Sequence, residues 1–262
     1  MKIRFPLHAA FIIVLPVMVS SAEPDAKQIM TRSQEATRMA GSESVATLPI
    51  FDNKGNKRIR KFSSASKKYP DGVTKMIMRF LESADVKGTG ILTFDNETGD
   101  DDMWIYMPAL RKTRRIVSGE KTKSFMGSEF SNADITSPNI DDYTYKLIGS
   151  ETVRDLECWK IATTPVKGGI AESTGYSKKI MCVAKKDFMA RRTEYYDLDG
   201  ELLKTLDIME VKLLDEKNGK YQAVDLTITN VRNNRKSQFK IDTIIFNPTV
   251  NDEYFTTRYL EK

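Results

Sequence analysis

Histidine is almost missing from this sequence. The 262 residues contain one, His8, and it falls in an N-terminal leader. Without histidine beyond that point the chain has no Ser-His-Asp or Cys-His relay and no histidine-bound zinc. Most hydrolase chemistry goes with them. Cysteine is nearly as scarce: Cys158 and Cys182 are the whole complement, and no CxxC spacing marks either as a catalytic thiol. After the leader no stretch approaches the ~20 continuous apolar residues of a membrane helix. Blocks of like charge, Pro/Ser-rich linkers and internal repeats are absent too, so nothing divides the chain. No enzyme activity, metal site or cofactor is expected.

The leader reads "MKIRFPLHAAFIIVLPVMVSSAEPDA". Lys2 and Arg4 form a basic head, Ala9 to Val19 an apolar run, and Ser20-Ser21-Ala22 a small-residue cleavage site. Residues 1–22 are therefore expected to be a signal peptide cleaved after Ala22, with 23–262 a single exported domain. Removing Lys2 and Arg4 from the 41 basic residues leaves 39 against 36 acidic ones, a net +3. That balance suits a soluble surface with one local basic patch, and export argues against a nucleic-acid partner. Export also favours pairing of cysteines. A hairpin symmetric about Ile170 would set Cys158 opposite Cys182, so a structural disulfide is expected; two free buried thiols are the alternative.

Asp25 to Gly41 has the spacing of one amphipathic helix with a glycine stop. Beyond it the pattern is that of strands separated by turn signals such as "DNKGNK", Gly168-Gly169, "DLDG" and "EKNG". About a dozen strands joined mostly by short turns imply a mainly β fold, an antiparallel meander. A sheet that long must curl to hide its apolar face, and helices or lids must cover the open side.

Three groups of residues carry the functional reading. In "GVTKMIMRFLES", Met76, Met78 and Phe80 alternate with Lys75, Ile77 and Arg79, giving a strand face rich in Met and Phe. Methionine suits surfaces that repack around varied apolar cargo, though it also fills ordinary cores. In "DDDMWIYMPALRKTRRIV" a tight turn near Met107–Leu110 folds Asp101 and Asp102 toward Arg114 and Arg115. Cross-strand ion pairs are the plain reading. The functional one is a cationic rim of Arg111, Lys112, Arg114 and Arg115, with Leu110 and Ile116 sharing the face of Lys112 and Arg114 at a cavity mouth. Third, in "KSFMGSEFSNADI" Ser128 can cap a short helix over 129–134, too short to stand alone. Phe125, Met126, Phe130 and Ile135 must then dock on apolar surface, either as a movable lid or as a static plug. With Trp104 and Tyr106 these residues are expected to surround an apolar cavity. The acidic run Asp95–Asp102 lacks the ligand rhythm of an EF-hand and reads as a solvated turn.

The blocks "GTGILTFD", "DDDMWIYMPALRKTRRI", "SFMGSEFSNADI", "YYDLDGELLKTL" and "EYFTTRYLEK" together resemble the LolA-like outer membrane lipoprotein-sorting proteins. The resemblance covers nearly all of the chain after the leader. It implies an incomplete antiparallel β-barrel with helices over the open side, enclosing an apolar cavity for acyl chains, in the periplasm. It brings no catalytic residues. It implies an acylated lipid or lipoprotein as cargo, with an outer-membrane acceptor or an RND-type inner-membrane transporter as partners. A lipid- or partner-sensing module that shuttles nothing is the other function this design can serve.

Overall fold

The computed structural model describes residues 24–97 and 99–262; the expected signal peptide, its cleavage site and His8 lie outside them. Helix α1 (Ala26–Thr37) starts where Asp25 caps it, the carboxylate accepting the Gln28 N–H at 2.9 Å. That bond satisfies one of the donors a first helical turn leaves free. Ile29 and Met30 form its buried stripe.

The strands follow in order: β1 (Gly41–Phe51), β2 (Lys57–Lys68), β3 (Thr74–Glu82), β4 (Gly90–Asp95), β5 (Asp102–Met107), β6 (Lys112–Arg115), β7 (Tyr143–Val153) and β8 (Leu156–Pro165). After a short helix, α2 (Gly168–Thr174), come β9 (Lys178–Ala184), β10 (Ala190–Tyr196), β11 (Leu202–Asp215), β12 (Lys220–Asn230) and β13 (Lys236–Phe246). Helix α3 (Thr257–Leu260) ends the chain. Among the described residues the thirteen strands belong to one sheet, ordered β6-β5-β4-β3-β2-β1-β13-β12-β11-β10-β9-β8-β7, and every neighbour pairs antiparallel. The sheet is not closed: β6 and β7 are its two edges.

This order dictates a crossing. β6 and β7 are consecutive in sequence yet lie at opposite edges, so the chain between Arg115 and Tyr143 must traverse the width of the sheet. It does so over one face, here called inner, and this segment is the strap. Side chains alternate between faces along each strand. Ala46, Leu48, Ile50, Phe62, Met78 and Phe80 point inward, beneath the strap. Helix α1 covers the same face farther along, packing Ile29 and Met30 on Trp159, Ile161 and Val183.

The outer face of the first strands is apolar as well. Ala65, Ile77 and Leu92 pack against Val250, Phe255 and Leu260 of the C-terminal segment. The approach is close enough that a Cβ on Gly90 would fall 2.6 Å from a Leu260 methyl. Arg79 donates to the carbonyls of Tyr259 and Leu260 at 3.0 and 3.2 Å, holding the last turn down.

The β8–β9 hairpin departs from expectation. Its connection contains α2 rather than a simple turn, and its register is centred on Ala171, one residue later than the symmetric reading. Cys158 therefore pairs with Ala184, and Cys182 with Lys160. The expected disulfide is not formed: both cysteines are free and buried, on the outer face beside Val153 and Ala184. Burial pushes the Cys182 thiol up to about 11, with the Glu151 charge adding to it. Such a thiol is unreactive at neutral pH.

Candidate functional site

The strap's local structure is a miniature hairpin. Met126 and Gly127 both have positive φ, 53° and 82°, the pattern of a type I′ turn. Around them Phe125 N–H donates to the Phe130 carbonyl at 2.7 Å, Ser128 N–H to the Phe125 carbonyl at 2.9 Å, and Ser124 bridges Ser131. Ser128 does not cap a helix; its hydroxyl donates back to the Phe125 carbonyl at 2.7 Å. The expected helix over 129–134 is thus replaced by this turn and a single 3-10 turn, Asn132–Asp134. Ser131 caps that turn, its backbone N–H bonding the Asp134 carboxylate at 2.8 Å.

The hairpin drives its apolar side chains into the inner face. Phe125, Met126, Phe130 and Ile135 join Met76, Met78, Phe80 and Ile116 in one cluster floored by Leu48, Phe62 and Ile91. Phe125 lies 6.2 Å from Phe80 and Phe130 lies 6.5 Å from Phe239, centroid to centroid. The space is filled: Phe62 and Phe80 are 1% exposed and Phe125 is 2%. Phe239 and Ile241 also pack here, and sequence reasoning missed them together with Leu48, Ile50 and Phe62. The alternation of Leu48 and Ile50, and of Phe239 and Ile241, was the available signal.

Three expected members lie elsewhere. Trp104 and Tyr106 alternate away from Met103 and Ile105 and sit on the outer face, with Phe94, near the C-terminal segment. Leu110 is 65% exposed at the β5–β6 turn. The four cations do not form a common rim either. Arg115 pairs with Asp102 across the hairpin, as the plain reading had it. Arg114 pairs with Glu120 of the strap at 2.6 Å and holds that carboxyl down at about 2. Arg111 is the left-handed residue closing the turn, and it and Lys112 face solvent.

Beside the apolar cluster the inner face turns polar. Thr163, Lys179, Tyr195 and Lys204 stand in register across β8, β9, β10 and β11. The strap meets this row with Asp134, whose carboxylate accepts from Lys204 Nζ at 2.9 Å and from the Tyr176 hydroxyl at 3.1 Å. The side chains of Lys204 and Asp134 are 5% and 7% exposed. Burial alone would raise the Asp134 carboxyl, but the charges of Lys204 and Lys179 hold it below its ordinary value. Burial pushes the Tyr176 phenol up, and the Asp134 charge pushes it further. Further ties are Glu129 N–H to Ser237 Oγ at 3.0 Å, Lys204 to the Glu129 carbonyl at 3.0 Å, and Arg235 to the Glu129 carboxylate at 2.9 Å. The strap is latched, not loosely held as the lid reading expected. At the latch opens a cavity of about 330 Å³, bounded by Lys204, Tyr176, Asn230, Arg235 and Phe130. Phe130 therefore belongs to both the polar cavity and the apolar cluster.

An unclosed antiparallel sheet whose inner face is covered by a strap and a helix is an incomplete β-barrel. A family model described only as an uncharacterized-protein-like family matches residues 72–262. The chain belongs to that family, and its fold is that of the LolA-like outer membrane lipoprotein-sorting proteins. A DUF1329 family protein from Desulfovibrio piger is 29% identical, covering 90% of this chain and 97% of its own, with a TM-score of 0.83. A domain assigned to outer membrane lipoprotein sorting from Vibrio parahaemolyticus is 24% identical over 90% and 98% of the two chains, at 0.82. A LolA superfamily protein from Nitrosomonas europaea is 19% identical over 90% and 99%, at 0.69. No curated protein matches the chain. Among the described residues no helix is long and apolar enough to cross a membrane.

Proposed function

We propose that this protein is a periplasmic carrier that takes an acyl chain of a lipid or lipoprotein against the inner face of its sheet and passes it toward the outer membrane. The observation that carries the reading is the strap itself. Topology forces it across the open face, and its residues Phe125, Met126 and Phe130 fill the apolar ground there. An inserted chain gains ~0.8 kcal/mol per buried CH₂ but must displace these side chains first. Net affinity falls accordingly, and release becomes possible. An RND-type inner-membrane transporter or an outer-membrane acceptor would be the exchange partners.

Displacement of a fluorescent fatty-acyl probe tests this. Phe130→Asp is expected to weaken probe binding at least tenfold, about 1.4 kcal/mol, with little change in unfolding midpoint. A large loss of stability with unchanged binding would make the strap a static plug. One observation favours a second reading, a binding module that shuttles nothing: the buried Lys204–Asp134 pair holds the strap shut. Transfer of labelled lipid between two vesicle populations separates the two. A carrier moves lipid through buffer, and a sensing module only binds it.

A further inference from the structure

The carboxylates that neutralise the polar end of the inner face belong to the strap, and the cations belong to the sheet. Asp134 pairs with Lys204, and Glu129 pairs with Arg235 of the β12–β13 turn. Lys179, two strands from Lys204, makes cation–π contacts at 5.1 Å with Tyr176 and Tyr195, and among the described residues no ion pair. Lys204 faces the same two rings at 4.9 and 5.2 Å. Lys179 is partly exposed, yet burial lowers its pKa, Asp134 opposes that, and Lys204 adds to it. Directly across from Lys179, Thr163 is 5% exposed and its hydroxyl has no hydrogen-bond partner among the described residues.

Withdrawing the strap would remove Asp134 and Glu129, and leave Lys179 and Lys204 on the row, and Arg235 beside Lys204 at the cavity, without these counter-charges. Uncompensated cations at a partly desolvated site are costly. An incoming anion would relieve that cost, and the cavity at the latch is roomy enough for one. Phe130 links that cavity to the apolar cluster, so a head group placed there has its chain directed onto Phe80, Met78 and Phe239.

We propose that Asp134 holds the place of an anionic head group: when acylated cargo displaces the strap, a phosphate or carboxylate of the cargo takes over Lys204, Lys179 and the Tyr176 hydroxyl. The inference rests on the carrier reading and adds to it the class of cargo, amphiphiles with an oxyanion close to the acyl chain. The strap is then a pseudo-ligand, and the cargo's oxyanion replaces the Asp134 carboxylate at the lysine row.

Equilibrium binding of 1-oleoyl lysophosphatidate, of uncharged monoolein with the same chain, and of inorganic phosphate to the mature chain tests this. Charge-assisted hydrogen bonds contribute enough that lysophosphatidate should bind roughly tenfold or more tightly than monoolein. Lys179→Met should lower lysophosphatidate affinity severalfold more than monoolein affinity, and so shrink that preference. Asp134→Asn should widen it, because the internal competitor has lost its charge, and this variant decides the matter if Lys179→Met does not fold. Equal affinity for both lipids would overturn the head-group inference while leaving the carrier standing. Binding of neither lipid would end both. Inorganic phosphate bound as tightly as lysophosphatidate would make this a site for free oxyanions and overturn the lipid assignment.

Discussion

Two carboxylates on the inner side of the sheet titrate in opposite directions. Asp134, beside Lys204 and Lys179, is held down; Asp95 is pushed up to about 6. For Asp95 the main cause is burial, opposed by the Ser137 N–H at 3.0 Å and reinforced by the charge of Asp101. The unfolded chain would release this proton near ~3.9, so between about 4 and about 6 the folded state binds the extra proton. Stability from this group is then fully present below about 4 and is lost as pH rises through about 6. Asp95→Asn keeps an acceptor for the Ser137 N–H and cannot ionise. Thermal melts followed by circular dichroism should show it more stable than wild type at pH 7.5 and equal to it below pH 4. The cysteines give a second residue-scale expectation. With both thiols free and two positions out of register, unfolding without reductant should expose two titratable thiols per chain, and reductant should leave the melting temperature unchanged.

Elements were legible in the sequence where local rules act alone. The α1 stripe, the strand alternation and the β5–β6 turn with its Asp102–Arg115 pair all follow from spacing and turn chemistry. Three readings needed tertiary information. Both faces of β4 and β5 are apolar because the C-terminal segment covers the outer one, so alternation could not tell which face Trp104 and Tyr106 join. α2 moved the β8–β9 register by two residues, which no count from Gly168-Gly169 reveals. Met126 adopts a left-handed backbone that a non-glycine residue seldom takes, which hid the strap's hairpin behind a helix-like serine. That hairpin makes a sharp prediction: Gly127→Ala should loosen it by about 1 kcal/mol, read as faster amide exchange at Phe125 and Ser128 with the sheet unaffected. For the C-terminal segment, Leu260→Ala should cost about 2–5 kcal/mol, since Leu260 is fully buried against Leu92 and Ile77.

At the scale of the whole molecule, one topological fact organises the rest. Two meanders, β1–β6 and β7–β13, meet where β1 pairs with β13 at the centre, and the connection from β6 to β7 has to cross the open face of the sheet. The strap's apolar side chains and its Glu129 and Asp134 are placed by that crossing, one set over the apolar cluster and the other at the polar end of the inner face. A static core and a cargo site would look alike in this closed state, because in both the inner face is filled. What separates them is whether an acyl chain can take the strap's place. Native mass spectrometry of the mature protein, gently purified from its own host, reads this directly. The account predicts bound lipid of defined mass in the wild type, absent from Phe130→Asp. A clean unliganded mass, with no uptake from added lipid or lipoprotein, would contradict it and leave the strap a permanent part of the core.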